Sequence, residues 1–294
     1  MSNATLYIAT ILIWGSSFYA IRLQVPAVEP ETSIFYRFAL ATLILLVFCI
    51  VRRKAMKFSI LHHIRFAVLG IFLFNLNFLF IYLAADFMAT GIVSVIFSSV
   101  VVFNMILGKW LLHDRLSLRM IFGALTGIIG LAIIFVPDAM LAENESIALR
   151  GVLYALVGTL FASLGMISSG LSQRAGLPII QANTYGMLYG AAFMLMWILF
   201  RDVPFRFPLT PDFVGSLVFL SLFASVLAFS FFLTLVGRLG AGKAGYATVL
   251  FPIIGLALSV WLEDYVISAT ALLGITLAIA GNAMILSDRV RRSD

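Results

Sequence analysis

Charged side chains are scarce in this sequence. Asp, Glu, Lys and Arg make up 11% of its 294 residues, and 63% of the residues are hydrophobic. Soluble domains have about 25% charged and about 45–50% apolar residues. With a mean hydropathy of +1.11, the chain is too apolar for a water-soluble core. We therefore predict an all-α integral membrane protein.

Cysteine is also rare. Cys49 is the single cysteine, which excludes an intramolecular disulfide. The sequence lacks H-E-x-x-H and G-x-S-x-G motifs, paired intramembrane aspartates, and any spacing of Cys, His and carboxylates suited to a metal. It has no basic patch interleaved with aromatics that would indicate nucleic-acid binding. We expect no enzyme, no catalytic residues, no metal and no cofactor.

The segment GRLGAGKAGY, Gly237 to Tyr246, contains both G-x-G-x-x-G and G-x-x-x-x-G-K, the spacings of phosphate-binding loops. Such a loop needs a strand before it and a water-exposed helix after it. Here the flanking runs are the apolar LAFSFFLTLV and ATVLFPIIGLALSVW. The segment is therefore predicted to be a tight turn between two membrane helices, with Arg238 and Lys243 as cytoplasmic anchors.

Apolar segments of membrane-spanning length follow one another along the chain. A hydrocarbon core of about 30 Å needs about 20 residues per helix, and polar clusters divide the sequence into ten predicted spans. Their ranges are 4–24, 33–51, 64–85, 89–111, 117–136, 150–172, 178–200, 211–236, 242–262 and 267–287. The longest predicted connections are 137–149 and 201–210.

The basic residues are distributed unevenly between the two sides of these spans. With a cytoplasmic N-terminus, all Lys and Arg residues fall on the cytoplasmic side except Arg22, Arg37, Arg150, Arg201 and Arg206. This is the positive-inside bias. We therefore expect both termini in the cytoplasm, and we interpret the net charge of +6 as a topology signal.

The sequence also repeats itself. Half of ten spans is five, an odd number, so a second copy must cross the membrane in the opposite direction. We predict two inverted five-helix repeats, residues 1–140 and 141–294. Such repeats are typical of secondary transporters, whose substrate sites lie near the midplane. A shift of 151 residues aligns Trp110 with Trp261, Leu111 with Leu262, Ser117 with Ser268, Gly123 with Gly274, and Gly130 with Gly281.

Several segments resemble a known family. They are similar to EamA-type transporters of the drug/metabolite transporter superfamily. The segments are ILIWGSSFYAIR, IFYRFALA, the long run from YLAADFMATG to GLAIIF, and its echo from FFLTLVGRLG to AGNAMILS. The resemblance covers essentially the whole chain. It implies a bacterial inner-membrane protein with helices 1, 3, 4, 6, 8 and 9 around a central cavity. In its short length and high hydrophobicity, the chain is most similar to bacterial exporters of amino acids, including aromatic ones, and of other metabolites.

The sequence departs from this family's pattern at two places. Val101 is the first-half partner of Pro252, at a position where family members usually have proline. His113 and Asp114 replace the usual Gly-Glu after the fourth helix. The first departure puts the symmetry of a proline hinge in doubt.

Ionisable residues are nearly absent from the predicted spans. An Arg or Asp at mid-bilayer costs about 2.5–3.5 kcal/mol on insertion scales. Arg37, about one turn inside helix 2, either holds a substrate carboxylate or reaches the headgroups. No Asp or Glu falls mid-span, and His62, His63 and His113 fall in predicted cytoplasmic connections. We therefore expect a uniporter or facilitator without proton coupling, while sodium coupling stays open.

Polar and aromatic residues at helical spacing supply a candidate pathway. Asn75, Phe78 and Tyr82 share one predicted face of helix 3. The alternative for such groups is simple hydrogen bonding between helices. Pro252, which lacks an N–H, is the predicted hinge. The predicted pathway residues are Trp14, Ser17, Arg37, Asn75, Tyr82, Ser94, Ser98, Ser168, Ser230, Thr234, Tyr246 and Thr248.

These observations favour a secondary transporter that works by alternating access and exports amino acids or related metabolites. A sugar-phosphate or nucleotide-sugar carrier is one alternative, although such polyanions should need several interior cations where Arg37 alone is available. A non-transporting membrane sensor or a channel is another, and a channel would be expected to show charged rings or a filter loop. The expected partners are a small solute and the lipid bilayer, and a monomer is plausible.

Overall fold

The computed structural model describes residues 1–111, 116–141, 145–245 and 247–293, and within these ranges all regular structure is helical. The helices are labelled α1 to α10 in chain order. The unbroken helices are α1 (Asn3–Gln24), α2 (Pro30–Val51), α5 (Leu118–Leu141), α6 (Glu145–Arg174), α7 (Ile179–Arg201), α9 (Ala247–Leu262) and α10 (Ala269–Ser293). The composite helices are α3 (Ile60–Ile71, Phe72–Leu76 and Asn77–Ala85), α4 (Thr90–Ser98 and Val100–Leu111) and α8 (Pro211–Val218, Phe219–Leu227 and Ala228–Gly245).

Eight of the described helices are long and apolar enough to cross a membrane, and shorter apolar helices occupy Leu118–Ile134 and Ala247–Leu262. Their surfaces suit lipid. Along α2, for example, Leu43, Val47 and Ile50 are exposed on one side, whereas Phe38 and Leu45 are buried. A large exposed apolar surface of this kind is unfavourable in water and is expected in a bilayer. The chain is therefore a multi-pass membrane protein.

Local sequence signals explain where several helices begin. The hydroxyl oxygens of Ser2, Ser59 and Thr210 accept hydrogen bonds from backbone N–H groups in the first turns of α1, α3 and α8. Such capping satisfies donors that have no partner inside the helix. Because Ser59 caps α3, this helix begins at Ile60 and includes His62 and His63. The prediction that these two histidines lie in a connection was wrong, and His113 lies outside the described residues.

Two predicted connections are largely helical. In the predicted connection 137–149, α5 continues to Leu141 and α6 begins at Glu145. The predicted turn beginning at Gly237 also fails, because α8 runs through this stretch to Gly245. Each Gly costs a helix only about 1 kcal/mol, which is less than the several kcal/mol lost when a backbone group is left unpaired in lipid. Arg238 Nη1 donates to the Met1 carbonyl at 3.0 Å, so it ties α8 to the start of α1.

Helix α4 is interrupted at Ser99 although it contains no proline. Asn282 of α10 bonds to Ser98, the residue directly before the break. Its Nδ2 donates to the Ser98 carbonyl at 3.1 Å and to Ser98 Oγ at 3.0 Å. The asparagine thus satisfies an acceptor next to the break. Helix α9, in contrast, is continuous through Pro252, and the role of Pro252 as a hinge stays a prediction.

Two helices contain π-helical segments, Phe72–Leu76 in α3 and Phe219–Leu227 in α8. In a π segment the backbone hydrogen bond runs from residue i to i+5, which inserts an extra residue into the turn. The 151-residue shift places Phe72–Leu76 on Phe223–Leu227, inside the second segment. The same local distortion therefore occurs at matching places in the two halves of the sequence.

Helices α5 and α10 pack with their backbones in close contact. A Cβ atom added at Gly123 would lie 2.7 Å from the Gly281 carbonyl oxygen, and one added at Gly130 would lie 2.5 Å from that of Gly274. Small residues at such crossings allow the close approach that drives helix association in lipid. These are the glycines that the 151-residue shift aligns.

We predict that Gly281→Ala destabilises the protein strongly, because the new methyl carbon would lie 2.5 Å from the backbone nitrogen of Gly127. Overpacking of this kind costs about 1–3 kcal/mol. Thermal unfolding in detergent, followed by size-exclusion fluorescence, measures the effect. Gly127→Ala is the matched control at the same interface, since its methyl group would meet its nearest atoms at 4.0 Å. Equal melting temperatures for the two variants would contradict this account.

Candidate functional site

Arg37 lies inside the bundle, two turns into α2, with 2% of its surface exposed. Its Nε donates to Ser225 Oγ at 3.0 Å, and Ser225 belongs to the π-helical segment of α8. Its guanidinium carbon lies 4.1 Å from the ring centroid of Phe78 and 5.2 Å from that of Phe38. The predicted alternative, in which Arg37 reaches out to the headgroups, does not fit this burial.

Tyr82 connects Arg37 to the end of α1. The Tyr82 hydroxyl is close enough to Arg37 for an electrostatic interaction, and it donates to Gln24 Oε1 at 2.8 Å. Gln24 and Tyr82 are both fully buried. We call Gln24, Arg37, Phe78, Tyr82 and Ser225 the Arg37 cluster. It joins α1, α2, α3 and α8.

Two donors of the Arg37 cluster have no hydrogen-bond partner. They are Arg37 Nη1 and Gln24 Nε2, and both atoms are buried. An unpaired buried donor is costly, and a buried charge without an opposite charge is more so. No described Asp or Glu forms an ion pair or hydrogen bond with Arg37. The cluster therefore has the chemistry of an anion-binding site.

A row of aromatic rings leads from the Arg37 cluster to α1. Ring centroids are separated by 5.1 Å between Phe78 and Phe38, 5.4 Å between Phe38 and Phe74, 5.5 Å between Phe74 and Phe229, and 5.2 Å between Phe229 and Trp14. Trp14 Nε1 donates to the Ala224 carbonyl at 3.2 Å, which fixes the indole against the π-helical segment of α8. These rings give the cluster an apolar surround.

The structure brings Arg37 and Tyr82 together but separates Asn75 from them. Asn75 Nδ2 donates to the Gly190 carbonyl of α7 at 3.0 Å. That Asn75, Phe78 and Tyr82 share one face stays a prediction. It assumed α-helical spacing, whereas Asn75 lies within the π-helical segment, where the turn is wider.

Most of the predicted hydroxyl residues bond to their own helix. They donate to a carbonyl three or four residues earlier, an arrangement that satisfies the hydroxyl without a partner helix. Ser168 is half-buried and Thr234 is exposed, and Tyr246 lies outside the described residues. The residues that donate in this way are Ser17, Ser94, Ser98, Ser230 and Thr234, whereas Thr248 of α9 donates to the carbonyl of Gly245, the last residue of α8. Their place on a solute pathway stays a prediction.

A second polar site joins α4 to α9, and sequence reasoning missed it. Glu263, directly after α9, accepts from the Thr90 backbone N–H at 2.8 Å and from the Thr90 hydroxyl. Ser259 Oγ donates to the same carboxylate at 3.0 Å and accepts from Gly91 N–H at 2.7 Å. We call these four residues the Glu263 cap. A carboxylate at the start of α4 satisfies free N–H groups and complements the helix dipole.

Together, the apolar helices and the buried polar cluster define a class: an all-helical, multi-pass membrane protein with a polar cluster in its interior. The chain belongs to the EamA-like transporter family, whose model matches residues 1–136 and 149–287. This membership and the names of its relatives point to transport rather than catalysis.

Relatives of the chain include proteins named as transporters. The uncharacterized transporter YoaV of Bacillus subtilis strain 168 is 25% identical over 277 residues, covering 93% of both chains. A probable amino-acid metabolite efflux pump of Salmonella typhimurium is 24% identical, covering 98% of this chain and 96% of the pump. The protein of the same name in Escherichia coli K12 is 21% identical, covering 95% and 93%.

The fold also resembles a solved crystal structure. The TM-score is 0.71 at 16% sequence identity, and the match covers 100% of this chain and 99% of that chain. This likeness supports the helical fold alone.

We predict that Glu263→Gln weakens the Glu263 cap, because the amide replaces one acceptor oxygen with a donor and removes the negative charge. The expected loss is about 1–3 kcal/mol of unfolding free energy, measured as a lower melting temperature in detergent. Asp264→Asn is the matched control. Asp264 is exposed and has φ 54°, a backbone conformation that Asn tolerates. An unchanged melting temperature for Glu263→Gln would show that the cap contributes little to stability.

Proposed function

We propose that the protein is a secondary transporter that exports amino acids or related carboxylated metabolites by alternating access. The observation that supports this proposal most is the buried Arg37 guanidinium, which has an unpaired Nη1 and no acidic partner among the described residues. A solute carboxylate at this position would supply the missing charge and acceptor atoms. The names of the Salmonella and Escherichia coli relatives support an amino-acid metabolite as the solute.

We further propose that α1–α5 and α6–α10 form two inverted repeats, residues 1–140 and 141–294. Three features support this arrangement: the glycine pairs of α5 and α10, the matching π-helical segments, and the five helices in each half. In this proposal the two shorter apolar helices, α5 and α9, also cross the membrane.

The proposed orientation in the bacterial inner membrane places both termini in the cytoplasm, in agreement with the positive-inside bias. The Glu263 cap then lies at the outer end of the bundle, with the Arg37 cluster below it. Closure of α4 against α9 at this end supports a conformation that is shut towards the outside. The cavity would open to the cytoplasm when the inner ends of the helices separate.

We propose transport down the solute gradient without proton coupling. The described Asp and Glu residues lie at helix ends or in connections, Glu263 among them, and His62 and His63 lie in the first turn of α3. Proton relays through membranes usually use buried carboxylates or histidines along the path. A transmembrane pH gradient should therefore not drive uphill solute accumulation in proteoliposomes. Accumulation above the external concentration would contradict the facilitator mechanism.

We predict that the purified protein in proteoliposomes catalyses counterflow of labelled amino acids, with aromatic, aliphatic and polar ones compared, and that a sugar phosphate is not a substrate. A polyanion requires several interior cations, and the Arg37 cluster has one. Arg37→Gln should lower amino-acid counterflow at least about tenfold, because a hydrogen bond to a charged partner contributes about 1.5–3 kcal/mol.

Arg201→Gln is the matched control for this experiment, since Arg201 is an exposed residue at the end of α7. Counterflow of the sugar phosphate alone would overturn the proposed substrate class. Unchanged counterflow in Arg37→Gln would remove Arg37 from the solute site.

A further inference from the structure

The Arg37 cluster has two groups that can bind a carboxylate. Arg37 Nη1 and Gln24 Nε2 are both buried and unpartnered. The Tyr82 hydroxyl lies between their side chains, since it donates to Gln24 Oε1 and interacts with Arg37. An anion with two oxygen atoms could accept one hydrogen bond from each donor. Sequence reasoning singled out Arg37 and Tyr82, whereas Gln24 carries no charge and was missed.

The same cluster has no acidic side chain, among the described residues, to bind an ammonium group. Among the described residues, Tyr82 is the ionisable group that interacts with Arg37. Glu29 has a buried, unpartnered Oε2, but it precedes Arg37 by eight residues, or about 12 Å along the helix axis. The amino and carboxyl groups of an α-amino acid are attached to the same carbon atom. An ammonium group on a solute bound at Arg37 would therefore have no acidic member of the cluster as its partner.

The groups around the cluster offer a second positive charge on the solute aromatic faces but no carboxylate. Phe78 lies against the guanidinium, and Phe38 and Phe74 continue the apolar surface beyond it. A solute ammonium in this surround would lose its hydration without gaining a carboxylate. It would also be repelled by the nearby guanidinium charge.

We propose that the Arg37 cluster recognises a monocarboxylate through Arg37 and Gln24 together, and that it makes no use of an amino group on the solute. Its preferred ligands are then apolar monocarboxylates, such as deaminated counterparts of amino acids, rather than zwitterions. This inference rests on the proposed transport function and specifies its substrate class.

The test is a ligand series measured on the purified full-length protein in detergent, where ligand binding to the folded state raises the melting temperature. The probes are 3-phenylpropionate, phenylalanine and phenethylamine. They share a phenylethyl skeleton and carry the carboxylate alone, both groups, or the amine alone. We expect 3-phenylpropionate to stabilise the protein at least as much as phenylalanine at equal concentration, and phenethylamine to have no effect.

Gln24→Glu tests the second donor. The new carboxylate would lie beside Arg37 and compete with the ligand, so the affinity for 3-phenylpropionate should fall about tenfold or more. Gln173→Glu is the matched control. It makes the same change at the last turn of α6, where the side chain bonds to Ser169. If Gln24→Glu fails to fold, Gln24→Leu, which removes the donor without adding charge, should also weaken binding.

The outcomes separate the two proposals. Stabilisation by phenylalanine but not by 3-phenylpropionate would overturn the inference and leave amino-acid transport standing. Stabilisation by phenethylamine, or unchanged acid binding in both Gln24 variants, would overturn it as well. Acid binding that depends on Gln24, combined with no counterflow of any solute, would support the binding site and reject the proposed transport.

Discussion

A positive charge buried among apolar helices is the constraint on which the interior of this protein depends. The guanidinium of Arg37 cannot reach water, and no described acid compensates it. Three neighbours reduce the cost: a serine hydroxyl, the face of Phe78 and the Tyr82 hydroxyl. They come from α8 and α3, so the position of Arg37 determines how these helices face α2. One guanidinium donor, Arg37 Nη1, is left without a partner.

Closely packed helices and irregular helices are separated within the fold. Helices α5 and α10 meet through glycines with no room for a methyl group at the tightest contacts, and this pair forms a closely packed unit. The helices near the Arg37 cluster, in contrast, carry the two π-helical segments, and α4 is broken at Ser99. Such irregular turns in membrane helices occur where the backbone is satisfied by other protein groups. The irregular backbone therefore lies towards the interior of the bundle.

Hydropathy predicted the helices well, because a chain in lipid has few alternatives to them. The helix boundaries mostly fell within a few residues of the predicted ones, and Arg37 could be recognised because a charge within an apolar span is rare. The glycine-rich stretch 237–245 was predicted wrongly, since turn preferences that hold in water were outweighed by backbone pairing. Gln24, Ser225 and Glu263 could not be identified from the sequence. Their importance comes from partners that are distant along the chain, and neither spacing nor residue type reveals such pairs.

The break in α4 depends on two places in the chain that are far apart. Ser98 and Asn282 are separated by 184 residues, yet the amide of one satisfies the backbone of the other. A proline would break a helix by itself, whereas this break involves one residue from each half of the sequence. A change of Asn282 to an apolar residue would leave the Ser98 carbonyl without this partner, although the two residues belong to different halves of the sequence. Such a break is specified by a contact between two helices rather than by a motif within one.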